Sequence, residues 1–304
     1  MRLELGINTC FAVKRWPRPT DWAPLVRDRL GLRLVEHSLD LVDLGGSIPT
    51  QAAAVKAAAG EFGLTIRSTF TGLAAYSSNL LLSPDAESRE RAQEWFRRAI
   101  LFSENVGSVA AGGHVGAFSV SDWTSPEQRA ERWAKLKLAL RDLSANARAH
   151  GQQALLVENL AAAREPSTMD MIGDLLIDED ARHVPIRLSL DVGHMCVAGT
   201  SGADRDPYAW LRDLSYRAFE IQLQQSDTDG DHHWPFTPAA NARGRIDADR
   251  VIDALGGGGI DEMALILEII PPFEQDDAGV LDDLAASVDY WLEALERRKV
   301  LVTA

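Results

Sequence analysis

Short apolar runs recur along the chain at residues 3–7, 32–36, 64–68, 107–112, 154–158, 186–191, 218–223 and 263–268. Between them, stretches near 20–29, 50–61, 86–105, 126–150, 167–178, 206–214, 247–255 and 277–298 carry apolar residues at i, i+3 and i+4. Ala92, Trp95, Phe96, Ala99, Ile100 and Phe102 illustrate the second pattern. The runs have the length of buried strands, and the longer stretches have the period of helices. Local punctuation agrees. Ser125-Pro126-Glu127 reads as a capping serine followed by proline at the first helical position, and Ser83-Pro84-Asp85 reads the same way. Gly63 and Gly107 stand where helices end ahead of strands.

Eight strands alternating with eight helices imply a parallel sheet, because a parallel crossover needs a helix between strands. A doubly wound open sheet competes with a closed barrel. Four strand ends help to choose: Leu155-Leu156-Val157-Glu158, Leu188-Ser189-Leu190-Asp191, Phe219-Glu220-Ile221-Gln222 and Leu265-Ile266-Leu267-Glu268. Each closes an apolar run with a side chain able to bind a metal. An open sheet spreads these ends across its width, whereas a barrel gathers them around one axis on its functional face. The expectation is an α/β chain folded as a single (β/α)8 TIM barrel domain over residues 1–304. Its mouth is expected at residues 9–17, 113–123, 191–205 and 223–245, several of them longer than usual αβ or βα turns. Gly256-Gly257-Gly258-Gly259 reads as a turn at the opposite end; it has no lysine and no following helix, so it is not a phosphate loop.

Composition narrows the function. At 304 residues and 46% hydrophobic, the chain can bury a large core. A formal net charge of -14 argues against a nucleic-acid surface, which needs clustered Lys and Arg. Cys10 and Cys196 form no framework and read as reduced thiols of a cytoplasmic protein. The opening Met1-Arg2-Leu3-Glu4-Leu5 alternates like a strand, so no signal peptide is expected, and no apolar run approaches a membrane span. Three carboxylates converging at one mouth repel one another unless a cation neutralises them. Hard oxygen donors suit Mg²⁺ or Mn²⁺, so the strand ends read as a divalent-metal site.

With the motifs Val157-Glu158-Asn159, Asp191-Val192-Gly193-His194, Asp231-His232-His233-Trp234-Pro235 and Leu267-Glu268 in this order, the chain resembles the xylose isomerase-like barrels. That superfamily includes sugar isomerases, ketose 3-epimerases, hydroxypyruvate isomerases and inosose dehydratases, with endonuclease four as a distant member. The resemblance spans nearly the whole chain and is more specific for superfamily than for substrate. It implies that Glu158, Asp191 and Glu268 are three of four metal ligands, and that Glu158 and Glu268 are also the two acid–base carboxylates acting on opposite faces of the substrate. The remaining ligand in the family is usually histidine; here the seventh strand offers Gln222, with Gln224 and Gln225 close behind it. An amide oxygen is a weak neutral ligand, which favours Mn²⁺ or Mg²⁺, with Co²⁺ or Zn²⁺ as alternatives.

The same resemblance implies substrate contact for His194. Asp231 and His233 match extra metal ligands of the endonuclease branch, but Arg67-Ser68-Thr69 stands where that branch needs histidine after the third strand. His114 faces the mouth and reads equally as substrate contact or structural residue, and Glu36 and His37 end the second strand with the same ambiguity. Lys14-Arg15 in the first loop, and Arg243 and Arg245 after the seventh strand, are candidates to hold a phosphate or carboxylate. Trp16 and Trp234 are candidates to pack on a sugar's C–H face. The leading expectation is a metal-dependent isomerase or 3-epimerase of a small ketose or ketose phosphate, working through an enediolate. Glu158 and Glu268 move the proton, Asp191 and Gln222 complete the metal shell, and His194, His114, Arg245, Lys14, Trp16 and His233 bind substrate. Two alternatives stay open: a dehydratase or decarboxylase of a 3-oxo sugar or sugar acid, and a non-catalytic sugar-binding barrel. The partner expected is a small carbohydrate, with no nucleic acid or membrane. A homo-oligomer fits the dimers and tetramers common in the family.

Overall fold

The structure, a computed structural model, describes residues 1–302. Eight parallel strands close into a barrel: β1 (Arg2–Asn8), β2 (Leu34–Ser38), β3 (Thr65–Phe70), β4 (Ala110–Gly113), β5 (Ala154–Glu158), β6 (Ile186–Asp191), β7 (Ala218–Leu223) and β8 (Glu262–Leu267). Each pairs with the next, and β1 joins β8 to β2, so the expected closed barrel is the observed one. A short β9 (Leu301–Val302) adds to the outer end of β1, an element the apolar pattern does not announce. The crossovers carry α1 (Pro19–Pro24), α2 (Ile48–Phe62), α3 (Ala86–Val106), α4 (Val120–Thr124), α5 (Pro126–Ala149), α6 (Met169–Leu175), α7 (Pro207–Leu214), α8 (Pro238–Asn241), α9 (Ala248–Gly257) and α10 (Asp277–Arg297). No helix among the described residues is long and apolar enough to cross a membrane.

The caps explain where helices begin and end. The Ser125 side chain accepts from Gln128 N, as its proline-led sequence suggests. The cap of α3 is Asp85, which accepts from Ser88 N at 2.7 Å, whereas Ser83 only accepts from Asp85 N. Gly63 and Gly107 both close helices in the left-handed region. Because Gly107 belongs to the cap of α3, β4 starts three residues later than the apolar run suggests, at Ala110. Pro24 ends α1, and the chain continues as a wider π turn over Leu25–Arg29.

The period of two along each strand decides what faces the axis. Leu34, Ala264 and Ile266 form one small apolar cluster and Ala110, Ala154 and Leu156 another, both separate from the main core between strands and helices. Two residues beyond these interior positions come Glu36 on β2, Glu158 on β5 and Glu268 after β8. The apolar interior is thus continuous with the site, and each glutamate follows the inward alternation of its own strand.

Strand β4 is unusually small-chained, and Gly112 shows why. Its φ is 147°, and a Cβ there would lie 2.1 Å from the carbonyl oxygen of Leu156 on β5. We expect Gly112→Ala to lower stability by at least about 3 kcal/mol, from a disallowed backbone conformation combined with a main-chain clash. Urea unfolding checks this; an unchanged midpoint would mean that β4 and β5 sit farther apart than described.

Candidate metal centre and active site

Glu158, Asp191 and Glu268 are all buried, and each offers one carboxylate oxygen within 4.8 Å of the others. A paired motif residue fixes the first two. Asn159 donates from its amide to the Asp191 carbonyl and accepts from the Asp191 N–H, both at 2.9 Å, clamping the ends of β5 and β6 together. Gly193 completes the turn: its N–H donates to Asp191 Oδ1 at 2.6 Å, and a Cβ there would strike the Gln224 side chain at 2.3 Å. Glu268 Oε1 accepts from the Asn8 amide at 3.2 Å.

Burial pushes the Glu158 carboxyl well above the usual range, with His194 opposing and Asp191 and Asp231 adding to the shift. Burial does the same at Glu268, reinforced by the charges of Asp191, Glu158 and Glu36. Such packing of carboxyls in low dielectric is unfavourable unless protons or a cation compensate.

Four unpaired buried atoms test the fit to a cation: Glu158 Oε2, Glu268 Oε2, Gln222 Oε1 and His194 Nε2 have no hydrogen-bond partner. Gln222 pairs in register with Asp191, so the two side chains are cross-strand neighbours on the same face. Its Nε2 donates to Glu36 Oε2 at 3.0 Å, which leaves its oxygen free. Gln224 is oriented the other way. Its Oε1 accepts from the His233 N–H at 2.7 Å, and its Nε2 faces both oxygens of Asp191 and Oδ1 of Asp231. As these amides are oriented, Gln222 Oε1 is unpartnered and Gln224 Nε2 faces the Asp191 carboxylate. Glu158, Asp191 and Glu268 could hold a hard divalent cation, with Gln222 beside Asp191 on the next strand.

A second group adjoins it. Asp191, His194 and His233 also offer atoms within 4.8 Å of one another. His194 Nδ1 is hydrogen-bonded to the Asn159 carbonyl at 2.7 Å, and His233 Nδ1 to the Glu268 carbonyl at 3.1 Å, so both rings turn Nε2 towards Asp231. Burial disfavours a charged His194, but Asp191 and Asp231 outweigh it and hold its pKa well above the ordinary value. Burial alone would raise Asp231; the two imidazoles reverse that and hold it well below the carboxylate range. His233 adopts a left-handed φ of 47°, a strained conformation kept by the Gln224 contact.

The remaining expected contacts are distributed differently. His114 is fully buried, 3.4 Å from Glu165 and edge-on to the Tyr76 ring at 4.4 Å between centroids. Tyr76, which the sequence pattern does not mark, brings its hydroxyl to 3.5 Å from Glu158 Oε1. Three expected substrate contacts are not gathered at the carboxylates. Lys14 lies over the Phe273 ring at 5.0 Å, Trp16 packs on Phe11, and Arg245 donates to the Arg205 carbonyl. Lys14 and Arg245 found partners in other loops, and Trp16 found one in its own. Of the other basic candidates, Arg15 pairs with Asp277, and Arg243 lies over Trp234, which also stacks on His232.

Several known proteins share this architecture. D-erythrulose 1-phosphate 3-epimerase of Brucella abortus (strain 2308) is 26% identical over 304 residues, covering 96% of both chains. A crystal structure from Rhodospirillum rubrum ATCC 11170, named as a candidate xylose isomerase, superposes with a TM-score of 0.88 at 34% identity, covering 96% of this chain and 99% of that one. D-psicose 3-epimerase of Clostridium cellulolyticum H10, solved with D-tagatose, has the same fold at a TM-score of 0.70 and 17% identity, over 96% of this chain and 99% of its own. Residues 28–295 match the family described as xylose isomerase-like TIM barrel, and the chain belongs to that family.

Proposed function

We propose that this protein is a divalent-metal-dependent sugar 3-epimerase acting on a small ketose or ketose phosphate. The observation that carries this reading is the convergence of the buried Glu158, Asp191 and Glu268 carboxylates, with Glu158 Oε2 and Glu268 Oε2 left without partners. The likeness to a 3-epimerase over nearly the full length of both chains supports the reaction class.

Glu158, Asp191, Gln222 and Glu268 would hold the ion. A bound Mn²⁺ or Mg²⁺ would polarise the substrate's carbonyl and acidify the neighbouring C–H. The two glutamates then divide the proton work. One takes the proton from C3, leaving an enediolate; the other returns a proton to the opposite face of the same carbon, which inverts it. Raised carboxyl pKa values suit this exchange, since one glutamate must enter the cycle protonated and the other ionised. His194 orients a substrate hydroxyl from beside Glu158, 3.4 Å from its Oε1.

The test is incubation of the Mn²⁺-loaded protein in D₂O with a panel of ketoses and ketose phosphates, D-erythrulose 1-phosphate among them. Recovery of both C3 epimers with deuterium at C3 is expected. Release of CO₂ or water, or tight binding without exchange, would overturn the epimerase reading.

Gln222 provides a narrower check. Replacing it with His is expected to tighten binding of Zn²⁺ and Co²⁺, because imidazole suits these ions better than an amide oxygen. Replacing it with Ala is expected to weaken Mn²⁺ only modestly, since the carboxylates supply the charge. Metal titrations that are unchanged in both variants would remove Gln222 from the ligand set.

A further inference from the structure

An amide ligand has a requirement that a carboxylate or imidazole lacks. Its two ends are nearly isosteric, yet only the oxygen can coordinate, so something must choose which end faces the ion. At Gln222 the choice falls to Glu36. Its Oε2 accepts from Gln222 Nε2 at 3.0 Å and from Asn8 Nδ2 at 2.6 Å, and the same Asn8 amide donates to Glu268 Oε1 at 3.2 Å. All four side chains are buried, from 0% to 4% exposed, so no bulk water competes for these bonds.

We propose that Glu36 is a positioning residue for the metal centre: it fixes the Gln222 amide with its oxygen towards the ion and, through Asn8, steadies Glu268. The inference rests on the ligand set given above. Nothing in it requires Glu36 to touch metal or substrate.

The surroundings of Glu36 keep the arrangement one-way. Its other oxygen, Oε1, and Glu220 Oε1 are both buried without a hydrogen-bond partner. Glu220 Oε2 is meanwhile occupied by the Ser68 hydroxyl at 2.8 Å, with Arg67 at 3.7 Å. Glu36 Oε2 is the oxygen that the Gln222 and Asn8 amides face. Gln222 Nε2 finds that acceptor, whereas the reverse amide orientation would set oxygen against oxygen. Glu36 lies on β2 and Gln222 on β7, 186 residues apart, so only the closed barrel creates the contact.

Mn²⁺ affinity of metal-stripped protein, measured by calorimetric titration, tests this independently of turnover. Glu36→Gln keeps an acceptor oxygen and is expected to bind Mn²⁺ within about threefold of the parent, within the scatter of a conservative change. Glu36→Leu fills similar space without an acceptor and is expected to weaken binding by about 10-fold or more, the usual effect of losing an outer-shell partner. In a Gln222→His background, where no amide end has to be chosen, adding Glu36→Leu should cost less than about threefold. Equal weakening by Leu and Gln at position 36, no weakening by Leu, or the same loss in the Gln222→His background would overturn the proposal. Should Glu36→Leu fail to fold, a crystal structure of the Mn²⁺-loaded parent decides. Gln222 Oε1 on the ion with Nε2 on Glu36 supports the inference, and any other arrangement rejects it. A parent that binds no divalent ion would instead reject the ligand set itself, and this inference with it.

Discussion

Replacing Glu158 or Glu268 with Gln is expected to cut turnover by at least about 10²-fold, the low end of what a positioned acid or base contributes. Glutamine preserves the shape of each side chain, so the barrel should survive; both positions are buried and densely contacted. Lost are the exchangeable proton and one charge facing the ion. The two variants should differ in kind. If one glutamate takes the C3 proton from a given epimer and the other returns it, each variant loses inversion. The variant that keeps the competent base should still exchange the C3 hydrogen of one epimer with solvent. Deuterium wash-in measured separately from each epimer distinguishes these cases, with circular dichroism and metal content as controls. Unchanged turnover in both variants would place the chemistry elsewhere.

Much of the site was readable because strand periodicity is a local property. A carboxylate two residues beyond an inward-facing apolar position must itself face inward while the strand lasts. Leu156 therefore announces Glu158, and Ile266 announces Glu268, with no knowledge of other strands. Asn159 and Gly193 were visible only as parts of motifs, and their functions appear when the ends of β5 and β6 are seen clamped together. What sequence could not show are contacts created by closure. Asn8 meets Glu268 across 260 residues, and Glu36 meets Gln222 because β1 joins β8 to β2. The neighbours of three expected contacts were equally illegible in the sequence. Lys14, Trp16 and Arg245 lie in or beside mouth loops, but a loop position does not say which way a side chain turns. Phe273, Phe11 and the Arg205 carbonyl settled that. Tyr76 was missed for the converse reason. Its loop is held by main-chain bonds from Leu73 and Ala74 to the Asp40 carboxylate, a contact between successive mouth loops that no local pattern encodes.

Removing the metal is expected to abolish turnover and to lower the melting temperature, by an amount that grows with pH. In the metal-free protein, burial holds Glu158 and Glu268 well above the ordinary carboxylate range. His194 lies well above its ordinary value because Asp191 and Asp231 outweigh the opposing effect of burial. The folded state therefore retains protons that the unfolded chain releases, from about pH 4.3 for a glutamate and about pH 6.5 for a histidine. A raised folded pKa contributes stability that is fully present below the unfolded value and is lost as pH rises through the folded one. Metal-free protein should thus be most stable in mild acid and weaken towards pH 8. A bound cation takes the place of those protons at the glutamates, so the loaded protein should be spared most of that loss. Its affinity should rise over the same window, because binding no longer has to displace protons. At free Mn²⁺ 100-fold above its dissociation constant, the gain is about 2.7 kcal/mol. Thermal melts with Mn²⁺ and with chelator, from pH 5 to pH 8, read both effects. Curves that coincide throughout would mean that the carboxylates are held by protons and hydrogen bonds alone and that the centre takes no ion.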